Sequence, residues 1–233
     1  MQDQFAGDVG DYVKLGLLRA LSPGHSLGVA WYRFPDETEK GDGKHLSYLE
    51  GQADYAQLDP ELFGHLQQVV RTKRSISALH PILGAKVFHD EVLNTRAVAF
   101  QHRRAWRKDW FDRVLQNLHG CNLVFADPDN GIVDDDERRK GSYTFGKQIP
   151  MSEVKSLADG RCAVIYHHNT RRRGGHDLEI DDMFRAFDLP AMAVRATAYS
   201  PRTFFVLNPD ETVRTRVEEF GLKWAPLRVR LHG

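Results

Sequence analysis

Two acids and an amide follow an apolar run near the middle of the chain, in the order Asp127-Pro128-Asp129-Asn130-Gly131. The preceding residues, Leu123 to Ala126, predict a buried strand, and the proline and glycine predict a tight turn after it. Ligands bind at the carboxyl ends of strands in open α/β sheets, so the first four residues of the turn are candidate catalytic residues. Carboxylates placed there can accept protons or hold a metal ion. The same residue types are common in turns, so a purely structural turn is the alternative.

A second polar group follows the next predicted core strand, Cys162 to Tyr166. Because strand side chains alternate, Tyr166 and His168 should share one face and His167 should take the other. An imidazole beside carboxylates can act as an acid, a base or a metal ligand, and His168 is the candidate catalytic histidine. We expect a carboxylate of Asp127 or Asp129 to lie within one ligand's width of a histidine ring from this strand, in a concave pocket. A simple hydrogen-bonded histidine is the alternative.

Three consecutive arginines, Arg171, Arg172 and Arg173, come next and precede Gly174-Gly175 and a predicted helix. Guanidinium groups bind phosphate bidentately, and a glycine-rich helix entry offers free backbone N–H groups. The arginines are therefore candidate ligands for the phosphates of a nucleic acid. Basic runs are more often solvated surface, which is the competing interpretation.

Composition narrows the class of protein. The chain has 233 residues, 41% of them hydrophobic and 27% charged, which is typical of a globular α/β domain rather than a disordered chain. Its 32 basic and 32 acidic residues cancel, so any site for a polyanion must be local. Two cysteines without paired spacing, no signal-peptide pattern and no long apolar run predict a cytoplasmic protein that does not enter membranes.

Alternating helical and strand patterns predict one Rossmann-like α/β domain over residues 1–233, a three-layer sandwich with a mainly parallel sheet. Nearly all-apolar strands at 123–126 and 162–166 should lie side by side in its centre, because such strands are covered on both faces. A C-terminal antiparallel hairpin, 192–198 with 203–207, should lie at one side. A helical insertion is expected at about 44–118. The other expected elements are helices at 10–21, 44–56, 60–73, 102–118, 177–187 and 210–220, a short helix capped by Ser152, and strands at 27–32 and 227–231.

Three segments resemble the class I S-adenosylmethionine-dependent methyltransferases, and more closely the 23S rRNA adenine-N6 methyltransferases of the RlmJ type. They are Phe5 to Lys14, Leu123 to Pro128 and Phe204 to Pro209, with Tyr48 to Gly51 as a weaker fourth. The first is similar to that family's N-terminal Ala-Gly-Asn-His-Ala-Asp-Val-Leu-Lys segment, the second leads into its Asp-Pro-Pro-Tyr motif, and the third resembles its closing strand. The resemblance implies S-adenosylmethionine as cofactor and a nucleic acid as substrate, with methyl transfer to an adenine amino group.

The resemblance also implies roles for particular residues. Asp127 would accept or polarise the amino group, Pro128 would shape the turn, and Lys14 would lie near the cofactor. Asp129 and Asn130 stand where the family has a second proline and an aromatic residue. The loop after the first strand, which in the family is a glycine-rich cofactor turn, contains three further candidates for cofactor binding: Tyr32, Asp36 and Glu37.

Three functions follow from these patterns. The first is a methyltransferase-like enzyme that acts on nucleic acid. The second is a metal-dependent nuclease or phosphohydrolase in which Asp127, Asp129 and His168 hold a divalent ion. The third is a binding protein for nucleic acid or nucleotides that keeps the fold without catalysis.

Overall fold

The computed structural model describes residues 1–36, 45–50 and 53–232. Within them lie nine strands, which are β1 (Leu27–Ala30), β2 (Val87–His89), β3 (Leu123–Ala126), β4 (Gly131–Val133), β5 (Gln148–Pro150), β6 (Cys162–His168), β7 (Ala191–Ala196), β8 (Arg202–Leu207) and β9 (Val229–His232). The α-helices of the same residues are α1 (Val9–Leu21), α2 (Ala53–Ala56), α3 (Pro60–Thr72), α4 (His80–Leu83), α5 (Arg103–Asn117), α6 (Glu137–Lys140), α7 (Met151–Leu157), α8 (Gly175–Phe187) and α9 (Glu211–Lys223).

Seven strands form one sheet in the order β2-β1-β3-β6-β8-β7-β9. The first four are parallel, whereas β8 runs antiparallel to both β6 and β7 and so lies between them. The chain leaves β1 towards one edge of the sheet and leaves β3 towards the other. The crevice between the carboxyl ends of β1 and β3 is therefore a topological switch point, where α/β folds bind ligands.

The sheet separates two hydrophobic cores. Leu123 and Phe125 pack on the side of α1, α3 and α9, whereas Val124 and Ala126 pack on the side of α5, α7 and α8. Every residue of β3 is buried, as expected of a strand that is covered on both faces. This arrangement confirms the Rossmann-like three-layer fold, the adjacent central strands and the antiparallel C-terminal hairpin.

Local sequence signals set the ends of the helices that face the site. Asp8 precedes α1 and accepts a hydrogen bond from the Asp11 backbone N–H at 3.0 Å, the usual geometry of an N-cap. Asp59 caps α3 in the same way, with Pro60 at its first turn, as the sequence predicts. The cap fixes the start of α1 and thereby the positions of Asp11 and Lys14 along it.

Several boundaries differ from the predicted ones. Ser152 does not cap α7, which begins at Met151 with Pro150 at the N-cap position; instead the Ser152 hydroxyl donates to Asp135 at 2.5 Å. Within the segment predicted as helix 44–56, the described residues form only a 3-10 turn, Ser47–Leu49, and α2. The segment predicted as a helical insertion contains β2, a parallel edge strand of the main sheet. Strand β6 extends through His168, so both histidines belong to it.

Two expectations from composition can be compared with the structure. The two cysteines without paired spacing, Cys121 and Cys162, are free and buried, so they pack as small apolar residues of the core. Among residues 1–36, 45–50 and 53–232, no helix is long and apolar enough to cross a membrane.

Candidate active site at the carboxyl ends of the central strands

A cavity of about 940 Å³ opens at the carboxyl ends of β1, β3 and β6. This volume is at the upper end of the range of small-molecule sites, ~300 to 1,000 Å³. The turn after β3, the end of β6, the start of β8 and the first turns of α1 all contribute to its walls. The lining residues on which the following paragraphs depend are Asp8, Gly10, Asp11, Lys14, Asp36, Asp127, Pro128, Asp129, Asn130, Tyr166, His168, Ser200 and Arg202.

A buried lysine lies between two carboxylates at the floor of this cavity. Lys14 Nζ is 2.7 Å from Asp11 Oδ1 and 2.7 Å from Asp127 Oδ2. The side chains of all three residues are at most 5% exposed. The ammonium group also lies 5.8 Å from the centre of the Trp31 ring and 5.6 Å from that of Tyr166. Two carboxylates thus share one cation in a site of low polarity.

The pKa values in this cluster follow from burial and from the shared charge. Burial raises the pKa of Asp11 to about 6, while the neighbouring Lys14 opposes the shift. Desolvation works against the charged form of Lys14, yet its two carboxylate partners raise its pKa overall. Lys14 is therefore a fixed cation, and Asp11 can take up a proton near neutral pH.

Asp129 and Asn130 extend the acidic side of the cavity. Asp129 Oδ1 is 2.6 Å from the α-ammonium group of Met1, and the Gln2 amide donates to Asp129 Oδ2 at 2.9 Å. The Met1 ammonium also donates to the carbonyl oxygen of Asp127 at 3.2 Å. Asn130 is exposed, and its backbone N–H donates to the Lys147 carbonyl at 2.8 Å. The amino-terminal segment therefore packs directly on the turn after β3.

The end of β6 and the start of β8 continue the wall beside the turn after β3. Tyr166 and His168 both line the cavity, with Tyr166 Oη 3.4 Å from His168 Nδ1. Burial raises the pKa of Tyr166 to about 12, and burial together with Arg202 lowers the pKa of His168. His168 thus shares one concave site with Asp127 and Asp129, as the strand alternation predicts.

His167 lies on the other face of the sheet, where it helps to hold a buried polar network. Its Nδ1 accepts a hydrogen bond from the Ile132 N–H at 3.0 Å, and its Nε2 faces Glu179 Oε1 at 3.4 Å. Thr170 and Asn169 donate hydrogen bonds to the same carboxylate. This network joins β4, β6 and α8 and lies outside the cavity. Of the two histidines considered from sequence, only His168 belongs to the site.

The predicted cofactor residues separate in the structure. Lys14 and Asp36 line the cavity, Asp36 as an exposed side chain. Tyr32 is buried on the opposite side of the sheet and donates to Glu153 Oε2 at 3.0 Å, so its side chain is not at the cavity. Glu37 lies outside the described residues.

The three consecutive arginines are not among the residues that line the cavity. Arg171, Arg172 and Arg173 are exposed after the end of β6, and Arg172 forms an ion pair with Asp182 of α8. Two other arginines, Arg96 and Arg202, line the cavity, and neither was selected from the sequence. For Arg202, the available signal was its position at the start of the mainly apolar strand β8.

Asp11 was also missed. In α1 it stands three residues before Lys14, in a helix whose other buried residues are apolar or glycine, and this pairing of opposite charges was the visible signal.

A metal-ligand arrangement is not seen: residues 1–36, 45–50 and 53–232 contain no group of three or more His, Cys, Asp and Glu side chains placed to hold an ion.

The site therefore combines the carboxylates of Asp127 and Asp129 with the guanidinium of Arg202 and with the His168 imidazole, whose pKa is lowered. Asp127 and Asp129 can accept from an amino group or pair with a cationic ligand, whereas Arg202 and His168 can donate to an anion.

A search of protein-family models finds no match to the chain, and a search of curated proteins finds no significant match.

Proposed function

We propose that the protein is a methyltransferase-like enzyme that binds S-adenosylmethionine and a nucleic acid in this cavity and methylates an amino group, such as that of adenine. The observation that carries the proposal is the position of Asp127: it follows a central strand at the switch point and lines a cavity of about 940 Å³. A cavity of this size has room for a nucleoside cofactor beside a base.

The charges of the wall fit both ligands. S-Adenosylmethionine carries a sulfonium and an ammonium group, and the acidic side of the cavity includes Asp36, Asp127 and Asp129. A nucleic-acid strand carries phosphates, and the basic side includes Arg202 and Lys147. The loop after β1 supplies no glycine-rich turn among residues 31–36, so cofactor recognition must depend on these side chains.

S-Adenosylmethionine, held on the acidic side of the cavity, would supply an electrophilic methyl group to the amino nitrogen. The sulfur would leave as the neutral thioether of S-adenosylhomocysteine, and the proton of the nitrogen would leave along its hydrogen bond to Asp127. Asp127 accepts a hydrogen bond from the amino group and so orients its lone pair. Lys14, held between Asp11 and Asp127, fixes the carboxylate in place. Tyr166 lies beside Asp127 on the neighbouring strand and lines the cavity together with His168, so the tyrosine ring offers a surface for a base.

The test is calorimetric titration with S-adenosylmethionine and with S-adenosylhomocysteine, followed by transfer of a labelled methyl group to single-stranded RNA and DNA. We expect micromolar binding and transfer, both lost in Asp127→Asn. Titration with Mg²⁺ and Mn²⁺ is run in parallel, because metal binding with phosphodiester cleavage and no cofactor binding would establish the hydrolase instead. An absence of cofactor binding under all conditions contradicts the proposal.

One observation favours a second function, a non-catalytic nucleotide-binding protein. The carboxylates of Asp127 and Asp129 are already paired, with Lys14 at 2.7 Å and with the Met1 ammonium at 2.6 Å. Such pairing is compatible with a scaffold that orients a ligand without reacting with it. Binding of nucleotides without methyl transfer to any nucleic acid would select this function.

A further inference from the structure

Arg202 is a buried cation that lacks a carboxylate partner. The residue is 4% exposed and lines the cavity at the start of β8. Its Nη2 donates to Ser200 Oγ at 2.6 Å, whereas its Nε is buried without a hydrogen-bond partner. Among the residues that the structure describes, no carboxylate oxygen lies within ion-pair distance of this guanidinium. Burying a charge without a counter-ion is costly, so the arrangement indicates a place for a bound anion.

The surroundings of Arg202 are built around its guanidinium. His168 is its cross-strand partner on β6, so both side chains face the α1 side of the sheet. Gly10, in the first turn of α1, leaves the space for the guanidinium: a side-chain carbon added there would collide with Nη1 of Arg202. The positive end of the α1 dipole therefore lies beside the arginine.

One negative group stands nearby. Asp8 also lines the cavity and lowers the positive potential, but its carboxylate caps α1 by accepting from the Asp11 N–H. It is not within ion-pair distance of Arg202. The helix cap therefore uses Asp8, and the Nε–H of Arg202 remains unsatisfied.

We propose that Arg202 binds a backbone phosphate of the nucleic-acid substrate, with His168 and Ser200 beside it. This inference rests on the proposed function, because it assigns the phosphate to the strand whose base enters the cavity. A phosphate offers several acceptor oxygens in a geometry that matches the planar guanidinium, which a carboxylate of the protein does not supply here. The exposed run Arg171 to Arg173 lies outside the cavity.

The experiment compares three probes by calorimetry: adenosine, adenosine 5′-monophosphate and a single-stranded hexa-adenylate. We expect the wild-type protein to bind the monophosphate about tenfold or more tightly than adenosine, since a charge-assisted pair is gained. In Arg202→Gln that ratio should fall to roughly threefold or less. For the hexamer, the dependence of log K on log salt should weaken by about 0.7, the loss of one phosphate contact.

Two further variants keep the test decisive if Arg202→Gln folds poorly. Gly10→Ala adds one methyl group that displaces the guanidinium while its charge is kept, and alanine suits the helix. Arg202→Lys keeps the charge but loses the two-pronged geometry. Both should reduce the ratio. Arg185→Gln, on the exposed face of α8, is the matched control and should leave it unchanged.

The outcomes separate this inference from the proposed function. If the wild-type protein shows no phosphate preference, or if all three variants retain it, the Arg202 site is refuted even when S-adenosylmethionine binds. If the monophosphate is preferred but the hexamer shows no dependence on Arg202, the ligand is a free nucleotide and the assignment to a strand is overturned. If the preference for the monophosphate depends on Arg202 but S-adenosylmethionine does not bind, the phosphate site at Arg202 is supported and the proposed methyltransferase function is refuted.

Discussion

Asp127→Asn separates a catalytic carboxylate from a structural one. The substitution keeps the size and shape of the side chain and removes its charge. Among residues 1–36, 45–50 and 53–232, no backbone N–H donates to the Asp127 carboxylate; its partner is Lys14 Nζ at 2.7 Å, 113 residues earlier in the chain. The amide oxygen of asparagine can still accept from that ammonium, and Lys14 keeps Asp11 as its counter-ion.

The expected loss of stability follows from this geometry. One charge-assisted hydrogen bond becomes a neutral one and no charge is left unpaired, so the free energy of unfolding should fall by about 1 to 3 kcal/mol. For a chain of 233 residues, each kcal/mol lowers the melting temperature by about 2 to 4 °C. The variant should therefore remain folded at room temperature while ligand binding or methyl transfer collapses.

Glu179→Gln is the matched control for this substitution. Glu179 is also a buried carboxylate, 2% exposed, but it lies with His167 outside the cavity. Its replacement should cost a similar 1 to 3 kcal/mol and leave ligand binding intact. Thermal melts and calorimetry on both variants decide the matter. Undiminished binding in Asp127→Asn would refute a functional role for Asp127, whatever the change in melting temperature.

Three further predictions concern stability. Lys14→Met leaves two buried carboxylates without a counter-ion and should cost about 3 to 5 kcal/mol in a denaturant titration, less at acidic pH, where Asp11 takes up a proton. Burial raises the pKa of Glu179, but hydrogen bonds from His167, Thr170 and Asn169 outweigh burial and lower that pKa to about 2. The ionised Glu179 carboxylate therefore stabilises the fold above about pH 4.5, and this contribution is lost as the pH falls towards 2. The difference in stability between wild type and Glu179→Gln should close over that range. Gly131→Ala should cost roughly 1 to 3 kcal/mol in thermal melts, because φ is +81° and the added carbon would lie 2.6 Å from His167 Nδ1.

The sequence predicted the elements whose signals are local. The apolar residues of β3 and β6, the Asp59 cap with Pro60, and the hairpin of β7 and β8 all depend on neighbouring residues and were located to within a few positions. Strands β2, β4 and β5 were missed because each has only three residues. So short a run shows no measurable period.

The site was only partly predictable, because its contacts join distant segments. Strand alternation correctly placed His168 in the cavity and His167 on the opposite face. The partnership of Lys14 with Asp127 spans 113 residues and has no local signature. For Tyr32 the sequence-based prediction was misleading. Its position after β1 suggested a contact with the cofactor, yet the alternation of side chains at that strand end directs its ring towards Glu153.

The two faces of β6 carry separate polar networks, so substitutions on one face should act independently of substitutions on the other. His168 and its cross-strand partner Arg202 face the cavity, whereas His167 faces Glu179. Six register pairs with β8 and four with β3 hold the strand in place independently of either network. Loss of Glu179 should therefore weaken the domain without moving His168, and loss of Arg202 should alter ligand binding without disturbing His167. A change in phosphate preference on Glu179→Gln would mean that the strand itself shifts, and that the two faces are coupled.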